Sequence, residues 1–149
     1  MNDVITLDSH RALVINPKGY GIKAFELGAR GSVEPLTMRN PDELNLTAYA
    51  VGNGSEVNVT IINKENGARP RDAEVTFVPR DRSLNKAAAI YLSAPNGDAA
   101  AIRGVTLGGD AITNSAPWHG QWTSLDMTND RCTVTVRAAS ATIVKFSSQ

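Results

Sequence analysis

Residues 44–63, LNLTAYAVGNGSEVNVTIIN, contain the pattern that decides the fold of this 149-residue chain. Apolar side chains occupy every second position from Leu44 to Ala50, and again from Val57 to Ile61. A period of two places such side chains on one face of a half-buried strand. The letters GNGS between the two runs are typical of a tight connection. This stretch therefore predicts an antiparallel β-hairpin.

The same alternation returns along the rest of the chain in short segments separated by turn residues. About eight strands at such spacing indicate an all-β fold, an antiparallel β-sandwich with one short N-terminal helix. The further predicted strands are DAEVTFVP (72–79), AAAIYLSAP (87–95), IRGVTLGG (102–109), QWTSL (121–125), CTVTVRA (132–138) and ATIVKF (141–146).

The helix is predicted at residues 17–30, PKGYGIKAFELGAR. Pro17 suits the first helical position, and Gly28 and Gly31 are stop signals. So much of this helix is apolar that it needs a surface to pack against. We therefore expect residues 1–16 to be an N-terminal extension, and residues 17–149 to form one β-sandwich accessory domain with the helix packed against it.

Composition excludes several classes of partner and site. Fifteen basic and fifteen acidic residues cancel, so nothing in the net charge draws the chain to nucleic acid or to an anionic membrane. The single cysteine, Cys132, excludes an internal disulfide and a zinc site of paired cysteines. The chain shows neither a signal peptide nor a membrane-spanning apolar run, and Met1 as the native start would place it in the cytoplasm.

Both tryptophans lie in the stretch WHGQW, residues 118–122. Indole faces can stack on the apolar face of a sugar, and polar neighbours can bind its hydroxyl groups. Trp118, His119, Gln121 and Trp122 are therefore the candidate carbohydrate-binding residues. The alternative is a turn between strands whose aromatic side chains close the core, which we favour for Trp122 and leave open for Trp118.

No catalytic or metal-binding constellation is evident in the sequence. Cys132 has no local signature of a nucleophile, and only two histidines exist to serve as its base. Glu26 is the most sheltered carboxylate expected, yet it has no obvious partner for acid–base work. We predict no catalytic residue, no metal site and no cofactor.

Read in order, several segments form a known arrangement. YGIKAFELGARG is followed by LTAYAV, VNVTIINKENG, VTLGGDAI, WHGQW and VTVRAASATIVKF. The arrangement resembles the C-terminal β-sandwich of glycoside hydrolase family 79, the β-glucuronidase and heparanase-like enzymes. The last segment resembles it most, with Val134, Val136, Ala138, Ser140, Ala141 and Val144 in the positions of a strand, a small-residue bend and a closing strand.

The resemblance implies an accessory role and no catalysis. In that family the catalytic glutamates lie in a (β/α)8 barrel, for which this chain has no room, so no catalytic residue can be carried over. We expect a non-catalytic module with a structural or interaction role. Its partners would be a glycoside hydrolase barrel, or a second copy of the chain, at the face of helix 17–30, with weak carbohydrate contact. A dedicated carbohydrate-binding protein using the Trp118/Trp122 loop and a small glycosidase using Glu26 are the alternatives.

Overall fold

The computed structural model describes residues 3–10, 12–80 and 83–148. Within these residues there are one α-helix and eleven β-strands, and a single 3-10 turn at Pro95–Gly97. In chain order the elements are β1 (Ile5–Leu7), β2 (Leu13–Ile15), α1 (Pro17–Gly28), β3 (Ser32–Glu34), β4 (Leu46–Asn53), β5 (Glu56–Asn63), β6 (Ala73–Phe77), β7 (Lys86–Ser93), β8 (Thr106–Leu107), β9 (Thr123–Leu125), β10 (Cys132–Val136) and β11 (Ser140–Ser147).

The strands form two facing antiparallel sheets of unequal size, and β1 pairs with β2 as a separate hairpin. The large sheet has the order β3-β4-β5-β11-β7-β8, and β9 also pairs with β7. The small sheet contains β6 and β10 only, and we call it the upper sheet. The prediction of an all-β antiparallel sandwich is confirmed. The strands that it missed, β1, β2 and β3, are three residues long and too short to show a period.

The main core lies between the two sheets, because every second side chain of each strand points into the space between them. Phe77 of the upper sheet meets Phe146 of the large sheet with their ring centroids 5.6 Å apart. Tilted pairs of this kind stabilise by about 0.5–1.5 kcal/mol beyond the area they bury. The buried members of this core are Ala50, Val59, Ile61, Ala73, Phe77, Leu84, Ala87, Ala89, Cys132, Val134, Val136, Val144 and Phe146.

The predicted hairpin at residues 44–63 is present, and β4 and β5 pair in full register from Leu46↔Asn63 to Asn53↔Glu56. Gly54 occupies the turn with φ +63°, a left-handed conformation that glycine adopts without steric cost. The apolar side chains of both strands contact the main core, as the alternation predicted.

The chain crosses from the upper to the large sheet within three residues, between β10 and β11. Asn63 holds this corner from the end of β5, with its side chain 1% exposed. Its Nδ2 donates to the carbonyls of Arg71 at 2.9 Å and Val136 at 3.0 Å, and its Oδ1 accepts from the Glu65 N–H at 3.0 Å. All hydrogen-bonding directions but one lone pair are used, which fixes the two sheets relative to each other.

Helix α1 covers the opposite face of the large sheet. It begins at Pro17 and ends at Gly28, two residues before the predicted end. Tyr20, Ala24 and Gly28 lie four residues apart and form its buried line. A methyl group at Gly28 would lie 2.6 Å from Thr60 Oγ1, so glycine here permits the close approach of helix and sheet.

Candidate functional site

The stretch WHGQW lies on the helix side of the large sheet, between β8 and β9. Gln121 N–H donates to the Gly108 carbonyl at 2.9 Å, and Gly108 N–H donates to the Tyr91 carbonyl at 2.8 Å. Gly108 has φ +62°, and a methyl group on it would lie 2.6 Å from the Gln121 nitrogen. These contacts fix residues 118–122 to the sheet as a turn.

Trp118 folds back over the turn and packs on the second core, which lies between α1 and the sheet. Its indole Nε1–H donates to the Leu107 carbonyl at 3.0 Å. A methyl group on Gly120 would collide with the indole ring, so glycine two residues after the tryptophan makes this conformation possible. Lys23 Nζ lies 5.4 Å from the ring centroid and covers part of the remaining face.

Trp122 also packs on the second core and is half-buried. Lys145 of β11 lies over its ring, with Nζ 5.0 Å from the centroid. Each such cation–π contact stabilises by about 0.5–1 kcal/mol at exposed sites. The inward position expected of Trp122 is therefore present, and Trp118 shares it.

The two polar members of the stretch have exposed side chains. His119 is held by its backbone, whose N–H donates to Asp110 Oδ2 at 2.7 Å. Gln121 Nε2 donates to the His119 carbonyl at 2.6 Å. The structure thus brings the four candidate residues into one turn, with two half-buried rings capped by lysines and two exposed polar side chains. Lys23 and Lys145 were not predicted, although the period of β11 places Lys145 on the same face as Ile143.

The carboxylate considered for acid–base work lies in ion pairs. Glu26 pairs with Lys23 at 2.9 Å and with Arg30, one turn away on either side of it along the helix. Neighbours of this kind neutralise a surface carboxylate and give it no second carboxylate partner. Over residues 3–10, 12–80 and 83–148, no group of three or more His, Cys, Asp or Glu side chains could hold a metal ion.

Cys132 lies in the main core, 2% exposed. Burial raises the pKa of its thiol, which keeps the thiol protonated and unreactive at neutral pH. His10 and His119 are both exposed, so neither shares its environment. The side chain has a packing role.

The outward side of α1 carries two exposed apolar side chains. Ile22 is 52% exposed and Phe25 is 73% exposed, opposite the buried line of Tyr20, Ala24 and Gly28. Exposed apolar residues that occur singly are ordinary, whereas these two lie next to each other on one helical face. We call Ile22 and Phe25 the outer helix face.

Residues 48–143 match the family described as the glycosyl hydrolase family 79 C-terminal beta domain. The match includes both strands of the upper sheet, all or part of every strand of the large sheet except β3, and the WHGQW turn, and it contains no catalytic barrel. No curated protein sequence matches the chain. No helix of the described residues is long and apolar enough to cross a membrane.

Solved structures of glycoside hydrolases share the fold. The GH51 arabinofuranosidase from Xanthomonas axonopodis pv. citri aligns over 96% of this chain with a TM-score of 0.63 and 16% identity. The 4-O-α-L-rhamnosyl-β-D-glucuronidase from Fusarium oxysporum 12S aligns over 84% with a TM-score of 0.58 and 20% identity. The GH30 endoxylanase from Clostridium papyrosolvens C71 aligns over 90% with a TM-score of 0.57 and 15% identity. The chain spans 28% of the length of each of these proteins.

Proposed function

The chain belongs to the family of glycosyl hydrolase family 79 C-terminal beta domains, and from that membership we propose that it is a non-catalytic accessory module that packs against the catalytic barrel of a glycoside hydrolase. The outer helix face, Ile22 and Phe25, is the contact surface. The exposure of these two neighbouring side chains, 52% for Ile22 and 73% for Phe25, is the observation that supports the proposal.

Covering this face gives the contact its driving force. Removing a large apolar side chain from water contributes about 1.5–3 kcal/mol when the side chain is fully buried. Phe25 and Ile22 lie within one turn of each other and can enter the same apolar depression on a partner. The ion-paired Lys23, Glu26 and Arg30 lie beside them and suit the polar rim of such an interface.

Photo-crosslinking in the source cells tests the proposal. The photoreactive residue p-benzoylphenylalanine replaces Phe25 in one version of the protein and Ile102 in a matched control. Ile102 is 74% exposed and lies in the loop before β8, so the two positions are equally accessible. We expect crosslinked peptides from a glycoside hydrolase barrel at position 25 and none at position 102.

The other outcomes decide against the proposal in different ways. Adducts at position 25 that join two copies of this chain assign the face to a homodimer. Adducts with unrelated proteins, or equal yields at both positions, contradict a dedicated contact surface.

Carbohydrate contact at the WHGQW turn is a second candidate function. The exposed His119 and Gln121 side chains lie beside the half-buried Trp118 and Trp122 rings. Sugar-binding sites combine aromatic faces with polar side chains in this way. A sugar that stacks on Trp122 would have to displace Lys145, so we expect weak binding.

Calorimetric titration with oligosaccharides that contain uronic acids tests this candidate. Because Trp118 is hydrogen-bonded within the core, its loss would perturb folding as well as binding. Variants of the exposed side chains, His119→Ala and Gln121→Ala, are the better probes. Saturable heat that both variants abolish supports sugar binding, and unchanged heat in both contradicts a site at this turn.

A further inference from the structure

The upper sheet covers only part of the large sheet and leaves a groove beside β10. The groove has a volume of about 510 Å³. Its floor is formed by the ends of β7, β8 and β9, and its wall by β10 and the corner that follows it. The lining residues used below are Tyr91, Ser93, Thr106, Leu125, Val134 and Arg137.

The wall of the groove is an unpaired strand edge. β10 pairs with β6 and with no other strand among the described residues. In an antiparallel ladder every second residue directs its N–H and C=O away from the partner strand. Among the described residues, the Val136 carbonyl accepts from the Asn63 amide, and no backbone hydrogen bond to a further segment satisfies the groups of β10 that point away from β6. The groove therefore presents a row of free donors and acceptors, which is the feature that a further strand recognises.

The two edges of the upper sheet differ in how they are protected. The outer edge of β6 lies in the sequence RPRDAEVTFVP, where Pro70 and Pro79 flank the strand. Proline and charge near an edge discourage the addition of another strand. The sequence of β10, CTVTV, contains neither, and its flanks carry the charged Arg131 and Arg137 but no proline. The β10 edge is thus the less protected edge of the upper sheet.

Several polar side chains around the groove have no side-chain partner among the described residues. No hydrogen bond or ion pair holds the side chains of Tyr91, Ser93, Thr106 or Arg137 within the described parts of the chain. Tyr91 and Leu125 are half-buried against the edge of the main core. Burial raises the pKa of the Tyr91 phenol, so this group stays a neutral hydrogen-bond donor. The floor therefore offers an apolar strip with polar groups and one cation at its margins.

We propose that this groove accepts an extended peptide segment from outside the chain, which pairs with the free edge of β10 as a third strand of the upper sheet. Neighbouring strands lie about 4.8 Å apart and facing sheets about 10 Å apart, and a strand so placed lies over Tyr91 and Leu125. A second copy of the domain does not fit in the same way, because its own large sheet would meet β7, β8 and β9. Alternate apolar residues would face the floor, with an acidic residue opposite Arg137. The inference does not depend on the proposed accessory role.

A peptide copied from β6 is the probe, because this segment already pairs with β10 on the opposite edge. The acetylated and amidated peptide DAEVTFV repeats residues 72–78. If the peptide pairs with β10 in the register that β6 uses, where Ala73 lies opposite Val136, the aspartate of the peptide lies opposite Arg137. Chemical shifts and amide hydrogen exchange of the labelled protein report binding. We expect a dissociation constant near or below about 1 mM, and exchange of every second β10 amide slowed at least about tenfold at saturation.

Three comparisons make the test decisive. Two peptides that are N-methylated at alternate positions separate backbone pairing from side-chain contact, because one of them must lose binding. Ser93→Trp fills the groove and should abolish binding, whereas Ser115→Trp in an exposed loop should not. The proposal would be overturned if both methylated peptides bound equally, or if the peptide did not bind at several times about 1 mM. It would also be overturned if xylohexaose displaced the peptide, since the groove would then be a sugar site.

Discussion

Replacing Asn63 by leucine should destabilise the domain strongly, because its amide joins the two sheets at the β10–β11 corner. Leucine has the same branched heavy-atom skeleton, so the change removes hydrogen bonds without opening a cavity. The carbonyls of Arg71 and Val136 and the N–H of Glu65 lose their partner.

The size of the loss in stability depends on how deeply each of the three hydrogen bonds is buried. The bond to Val136 is fully buried, and a carbonyl left there without a partner costs about 2 kcal/mol. The bonds to Arg71 and Glu65 are partly buried, so water can replace them, and each costs about 0.5–1 kcal/mol. Burial of the apolar leucine side chain offsets about 1 kcal/mol of this loss in the free energy of unfolding. The expected net loss is about 2–3 kcal/mol.

Urea unfolding measures this loss. With a slope of about 2 kcal/mol per molar, the midpoint should fall by about 1–1.5 M. Asn66→Leu is the control, since Asn66 is exposed and its amide bonds only the nearby Lys64 carbonyl. A decrease below about 0.5 kcal/mol for Asn63→Leu, or one equal to that of the control, would refute the role of Asn63 as the link between the sheets.

Three further predictions test other parts of the structure. Gly28→Ala should lower the thermal midpoint, because the new methyl group collides with the sheet and the resulting strain of about 1–3 kcal/mol exceeds the gain in helix propensity. Gly21→Ala is the control and should raise the thermal midpoint, because nothing lies within 4 Å of its new methyl group. The pKa of Glu65 lies below its usual 4.5, chiefly because Arg71 donates hydrogen bonds to the carboxylate. Its contribution is present above pH 4.5 and lost as pH falls through the lowered value. The urea midpoint of Glu65→Gln should therefore be lower than that of wild type at pH 6, and the two midpoints should converge at acidic pH. A difference between the midpoints that does not change with pH would contradict this. Cys132 should react with a disulfide reagent at pH 8 only after unfolding, because burial both shields the thiol and raises its pKa; rapid reaction of the folded protein would count against its core position.

Alternation along the strands predicted the core side chains well, because a strand covered on one face must place apolar groups at every second position. The alternate apolar residues from Leu44 to Ala50 and from Val57 to Ile61 all contact the main core. The pattern does not reveal which sheet a strand joins. Consecutive strands β10 and β11 lie in opposite sheets, and the Asn63 amide bonds the corner between them.

The WHGQW turn illustrates the limit for site residues. The sequence placed Trp118 and Trp122 in one turn, but it could not show Lys23 and Lys145 over their rings, since these residues come from distant elements. The spacing of Gly120 after Trp118 was a usable signal, because an indole can fold back only over a residue without a side chain. The groove beside β10 had no signal in the sequence, since it results from how far one sheet extends past the other.

The proposed non-catalytic accessory role is the central claim, and a hydrolysis assay on the purified chain tests it most directly. Chromogenic β-glucuronide, xyloside and arabinofuranoside substrates are suitable, since the names of the structural neighbours refer to glucuronidase, xylanase and arabinofuranosidase activities. Ordinary enzymes turn over at about 1–10³ per second. The account predicts release at the rate of buffer alone, identical for wild type and Glu26→Gln. Turnover above about 10⁻³ per second that disappears in Glu26→Gln would contradict it.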